Sequence, residues 1–87
     1  MSYTQYKRRN MYIENTPSIG DLYGVASYST LIGYIDWENR IFLTWGYSRY
    51  SVTTSRQITQ LCREQSLKRV DIADKSDIYK YLTEKGL

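Results

Sequence analysis

Residues 40–63 read R-I-F-L-T-W-G-Y-S-R-Y-S-V-T-T-S-R-Q-I-T-Q-L-C-R, from Arg40 to Arg63. Ile41, Phe42, Leu43, Thr44 and Trp45 are the β-branched, aromatic and bulky types that fit a pleated, half-buried strand. Ile41, Leu43, Trp45 and Tyr47 alternate onto one face, and Phe42, Thr44 and Gly46 onto the other. Gly46 packs nothing and ends the strand or marks a bulge. The hydroxyl-rich stretch that follows favours turns and caps. Thr54 and Gln57 have the spacing of a capping box, with Thr53 as the alternative cap one residue earlier. Beyond the cap, Ile58, Leu61 and Cys62 recur at helical spacing, and Arg56, Gln60 and Arg63 form a second, outward stripe. The expectation is a strand feeding an amphipathic helix, with Trp45 buried against Ile58 and Leu61.

Working outward, Leu22–Asp36 carries the next β pattern. It is read as a strand through Gly24–Thr30 or Gly24–Ile35, continuous and bent, with Gly33 marking a bulge or a close backbone approach. Asp36-Trp37-Glu38-Asn39 is a hairpin turn, with Asn39 suited to its left-handed position and its two acids solvated. In that register Leu31 and Ile35 share a core face with Ile41, Leu43 and Trp45. Upstream, Met11-Tyr12-Ile13 reads as a short edge strand, and residues 1–15 as loosely ordered. Downstream, Val70 and Ile72 read as a short extended piece. A final helix follows over Ile78, Tyr81 and Leu82, with Asp74 or Ser76 as its N-cap. The sum is a single domain over residues 1–87 of α+β class: a small antiparallel sheet of two to four strands, with one or two helices packed on one face.

Composition narrows the chemistry. The 87 residues contain no histidine and one cysteine. The commonest general base and the commonest metal ligand are therefore missing, a structural zinc site is nearly excluded, and an internal disulfide is impossible. Asp36/Glu38 and Asp71/Asp74/Asp77 sit where turns and helix starts are expected. The reading is no enzyme, no cofactor and no metal. Lone Cys62 fits a reducing compartment, and no apolar run approaches the ~20 residues of a membrane span. Net charge is +3, unevenly spread. Arg49, Arg56, Arg63, Lys68 and Arg69 face only Glu64 within residues 47–69, whereas residues 16–46 hold Arg40 against Asp21, Asp36 and Glu38. Ten tyrosines are the compositional anomaly. Tyrosine supplies apolar area with a polar tip, useful in cores and at interfaces alike.

Two segments, Ser27-Tyr28-Ser29-Thr30-Leu31-Ile32-Gly33-Tyr34-Ile35 and Trp45-Gly46-Tyr47-Ser48-Arg49-Tyr50-Ser51-Val52-Thr53-Thr54-Ser55-Arg56-Gln57-Ile58, resemble a pattern in small proteins of bacteriophages and related mobile elements. These join an S-Y-x-T strand to a Y-S-x-T-T-S-[RK] helix start. The chain departs from the pattern at Gln57, where a histidine often stands. The resemblance implies a phage accessory protein in the host cytoplasm. Its expected action is to bind and inhibit a host defence nucleoprotein of the CRISPR-effector kind, as anti-CRISPR proteins do. The expected contact residues are Arg49, Tyr50, Arg56, Gln60 and Arg63. The alternative is a small basic nucleic-acid-binding protein of phage origin. A homodimer through an open sheet edge is a further expected association, and no membrane contact is expected.

Overall fold

β4, Thr30–Asp36, is the longest strand of the protein and lies inside the sheet, buried from Ile32 onward. In the computed structural model, which describes residues 3–6, 11–28, 30–45 and 52–85, it pairs with β3, Tyr23–Ser27, and β5, Ile41–Trp45. Outside β3 lie β2, Met11–Glu14, and the edge strand β1, Tyr3–Gln5. Beyond β5 the chain forms α1, Val52–Gln65, then β6, Lys68–Ile72, and α2, Asp77–Glu84. The six strands stand in chain order, all antiparallel except the parallel pair β5–β6. The α+β class holds, but a sheet of two to four antiparallel strands is too small, and the sheet is mixed.

Three local features account for the difference. The run expected to be one bent strand is a hairpin. Ser27 pairs with Thr30, and Tyr28 turns the chain at a positive φ of 59°, a conformation that costs a bulky residue about 1–2 kcal/mol. A tyrosine there hides the turn from a reading that looks for Asn or Gly. Met11–Glu14 is a strand as foreseen but not the edge, because Tyr3–Gln5, from the stretch expected to be loose, pairs outside it. The fourteen residues of α1 span the distance that a parallel return requires, so β6 joins beside β5 in the same direction.

The helices pack on opposite faces, not on one. Ile58 and Leu61 of α1 sit in a core with Met11, Val25, Ile32, Ile35, Phe42 and Leu67. Ile78 of α2 sits in another with Leu22, Tyr34 and Leu43, flanked by Ile41, Trp45, Val70 and Ile72. Neighbours Phe42 and Leu43 thus serve different cores, as strand alternation demands. Trp45 packs toward α2, not against Ile58 and Leu61. Its ring lies 6.0 Å from that of Tyr34 at 35°, and Phe42 takes the place foreseen for it. Leu31 shares the α2 face with Ile41, Leu43 and Trp45, but Ile35 does not. A bulge explains this: Val25 pairs with Gly33 and Ala26 with Leu31, leaving Ile32 as the extra residue. The alternation slips by one there. A Cβ on Gly33 would run into the Leu43 carbonyl and the Phe42 ring, so the glycine marks a close approach of two strands.

Candidate functional site

α1 presents the basic stripe, and its inner side explains how rigidly. Ile58 and Leu61 are fully buried. Beside them Gln57 is buried too, its Oε1 accepting a hydrogen bond from Ser27 Oγ at 2.8 Å. Thr54 Oγ1 lies 3.3 Å from the same Ser27 oxygen. Thr54 and Gln57 are therefore not a capping box. The helix already runs from Val52, and both side chains turn inward to the β3 strand. The two hydroxyl-rich segments meet at this buried contact, which satisfies polar groups that would otherwise be costly to bury.

The other end of α1 is fixed as firmly. Ser66 adopts a positive φ of 56°, and the Leu67 N–H donates to the Cys62 carbonyl at 2.8 Å. That is a Schellman closure with a serine where glycine is usual, and Leu67 completes it by packing into the core. Arg40 Nη1 donates to the Gln65 carbonyl at 3.3 Å, placing a cation at the negative end of the helix. Tyr6 OH donates to Glu64 Oε1 at 2.8 Å, and Gln65 Nε2 donates to Tyr6 OH at 3.1 Å.

On this frame Arg56, Gln60 and Arg63 are all exposed and lie one turn apart on the outer side of α1. Neither arginine has an ion-pair partner among the described residues. Arg49 and Tyr50 lie outside the described residues. The structure also shows a second surface that the sequence reading missed. On the α2 side, beyond the reach of α2, Tyr3, Tyr12, Ala26, Tyr28 and Leu31 line an open cleft of about 420 Å³. Gln5 pairs with Tyr12, Tyr12 with Ala26 and Ala26 with Leu31, so four strands contribute to one row. The available signal was Tyr12 alternating with the buried Met11.

Residues 1–80 match a family described as "Family of unknown function (DUF8033)". The chain belongs to that family. No curated protein and no solved structure matches it.

Asp36, expected to be a solvated turn acid, is completely buried. Lys85 Nζ stands 3.0 Å from its Oδ2, and Tyr81 OH donates to the same oxygen at 2.6 Å. Asn39 donates its backbone N–H to Asp36 Oδ1 and its side-chain amide to Oδ2. Asn39 is engaged in this way, and the left-handed position of the turn falls on Arg40, φ 56°. Burial alone would raise the Asp36 pKa, but the hydrogen bond from Tyr81, the Lys85 ammonium at ion-pair distance and the hydrogen bonds from Asn39 outweigh it and bring it down to about 2. Burial, reinforced by the neighbouring Asp36 carboxylate, pushes the Tyr81 phenol up to about 12. Burial works against the Lys85 charge, yet Asp36, with Glu38 and Asp21 farther off, raises its pKa.

Glu14 is a second buried carboxylate. It accepts from the Gly24 N–H at 2.5 Å and from Ser18 Oγ at 2.7 Å. A Cβ on Gly24 would strike it. Both acids are engaged by groups of the fold itself, and the open cleft that Glu14 borders with Tyr6, Tyr23 and Trp37 has no basic side chain among its described lining residues. Burial pushes the Cys62 thiol up, away from the thiolate a nucleophile needs. Among the described residues no cluster of His, Cys, Asp and Glu could hold a metal ion, and no helix is long and apolar enough to cross a membrane.

Proposed function

We propose that this protein acts by binding rather than by chemistry, as a phage accessory protein that docks on a host defence nucleoprotein of the CRISPR-effector kind and inhibits it in the host cytoplasm. The observation that carries the reading is the outer stripe of α1. Arg56, Gln60 and Arg63 stand exposed on a helix held at both ends and along its inner side, with no compensating acid among the described residues. A helix so fixed loses little freedom on binding. Arginine is among the residues that anchor interfaces, and unpaired cations steer association toward an acidic partner. Arg49 and Tyr50, just before α1 in the sequence, belong to the same proposed contact. The host-defence half of the reading rests on the resemblance of Ser27–Ile35 and Trp45–Ile58 to phage proteins.

The test is retention of, and inhibition of nucleic-acid cleavage by, purified defence effectors from the host, with wild type and with Arg56→Glu/Arg63→Glu. Both substitutions are on exposed positions, and stability should stay within about 0.5 kcal/mol of wild type. Wild type should bind an effector and slow its cleavage, and the double variant should do neither. Equal behaviour of the two forms would remove this surface. Failure of wild type against every effector would remove the inhibitor role.

A further inference from the structure

We infer that the tyrosine cleft on the open half of the sheet is a second binding site, one that takes unpaired nucleobases of a single-stranded nucleic acid. It uses none of the residues of the α1 contact and stands independently of that reading.

The cleft has the features that stacking requires. Tyr3 is 43% exposed and Tyr28 56% exposed, and Tyr12 is half-buried between them in the sheet. Among the described residues no charged side chain lines it. Its floor is Ala26 and Leu31, small or aliphatic, which leaves room above them for a flat ring. At about 420 Å³ it lies at the lower end of the range for small-ligand clefts, roughly 300–1,000 Å³, so it suits a ring or two. Aromatic side chains presented on a sheet are how proteins hold splayed bases, because every base has a π-face.

The turn at Tyr28 adds a second line of argument. A tight reversal with positive φ is best served by glycine or asparagine. A tyrosine there stores backbone strain, the kind of strain that collects at binding sites. Its exposed ring repays none of it by burial in the core.

Charge identifies the occupant. The backbones of Tyr6 and Met11 are joined by a 2.7 Å hydrogen bond, and in the sequence Lys7, Arg8 and Arg9 separate them. The chain thus supplies three cations between the two strands that carry Tyr3 and Tyr12, and the net charge is +3. An uncharged proline-rich segment could use the rings but would gain nothing from those cations. A polyphosphate strand gains from both.

The experiment is fluorescence anisotropy with short labelled oligouridine and oligothymidine, a duplex of the same length, and a labelled proline-rich peptide, each at low and at physiological salt. The variants are Tyr28→Gly, Tyr28→Phe and Tyr12→Ala. Tyr28→Gly relieves the strained turn, so its melting temperature should equal or exceed wild type, and a binding loss cannot be blamed on unfolding. Wild type should bind the single strands in preference to the duplex. Tyr28→Gly and Tyr12→Ala should each weaken that binding about tenfold, the order of one lost stacking ring, and Tyr28→Phe should retain it. The two oligonucleotide arms tell RNA from DNA. The inference is overturned if wild type binds neither single strand, if Tyr28→Gly binds as wild type, if duplex binds as well as single strand, or if the proline-rich peptide is the probe that binds.

Discussion

The two faces of the sheet are closed by similar helices in different ways. α1 lies over an aliphatic and aromatic core and is keyed to β3 by neutral hydrogen bonds among Ser27, Thr54 and Gln57. α2 lies over a second core and is latched by an ionic cluster, Asp36 with Lys85, Tyr81 and Asn39. The difference is where charge goes. The α2 side takes its acids and its lysine inward, which ties that helix to pH. The α1 side keeps ionised groups out of its core, so its arginines remain outside for contact, and its buried link to Ser27 involves no titratable group.

Three measurements can break or sharpen this contrast. The largest effect should come from Phe42, fully buried under α1. Phe42→Ala should lower unfolding free energy by about 3–5 kcal/mol, and Trp45→Ala, at a half-buried ring on the other face, by clearly less. If denaturant titration gives Trp45→Ala the larger loss, the assignment of faces is wrong.

The next effect should be acid lability confined to the α2 side. The folded pKa of Asp36 is about 2 against an ordinary 3.8. A depressed carboxylate contributes stability that is present above pH 4 and is lost as pH falls toward 2, here about 2 kcal/mol at full protonation. Tyr81 works in the opposite direction. Its phenol is held protonated to about 12, so its contribution is present below pH 10 and disappears as pH rises through 12. Asp36→Asn should flatten the acid limb of a stability–pH profile, and an unchanged limb would refute the latch. Gln57→Ala should have no such pH signature.

The smallest effect is the neutral key itself. Gln57→Ala should cost about 1 kcal/mol, because Ser27 Oγ loses its Gln57 acceptor and keeps only Thr54 Oγ1 at 3.3 Å. Replacing both ends with apolar groups, Ser27→Ala with Gln57→Leu, should recover part of that loss. Additive losses in the double variant would show that the two side chains are not coupled.

Local patterns made the elements legible, and long-range partners hid the rest. The alternation of Ile41–Trp45, the helical spacing of Ile58 and Leu61, and that of Ile78, Tyr81 and Leu82 mark β5, α1 and α2 from the sequence. So does the outward stripe of Arg56, Gln60 and Arg63. The bulge at Ile32 was foreshadowed only by Gly33, and its consequence, moving Ile35 to the other face, depends on pairing with β3. Asp36 looks like a surface acid because its partners come from residues 39, 81 and 85. Thr54 and Gln57 match a cap by spacing, yet Ser27 in another strand claims them. The cleft was invisible for the same reason: Tyr3, Tyr12 and Tyr28 become neighbours only through the order of the strands.

That order has a consequence for how the chain comes off the ribosome. Each strand lies beside the one made just before it, so every new strand finds its partner already waiting. Apart from the crossover through α1 to β6, pairing can proceed by successive zipping of neighbours, a topology that favours rapid folding. Asp36 has to wait, because Tyr81 is 45 residues downstream. Until α2 has emerged, the carboxylate at the end of β4 lacks its tyrosine and its lysine. The last described helix therefore delivers the groups that allow an already formed sheet to keep a buried charge.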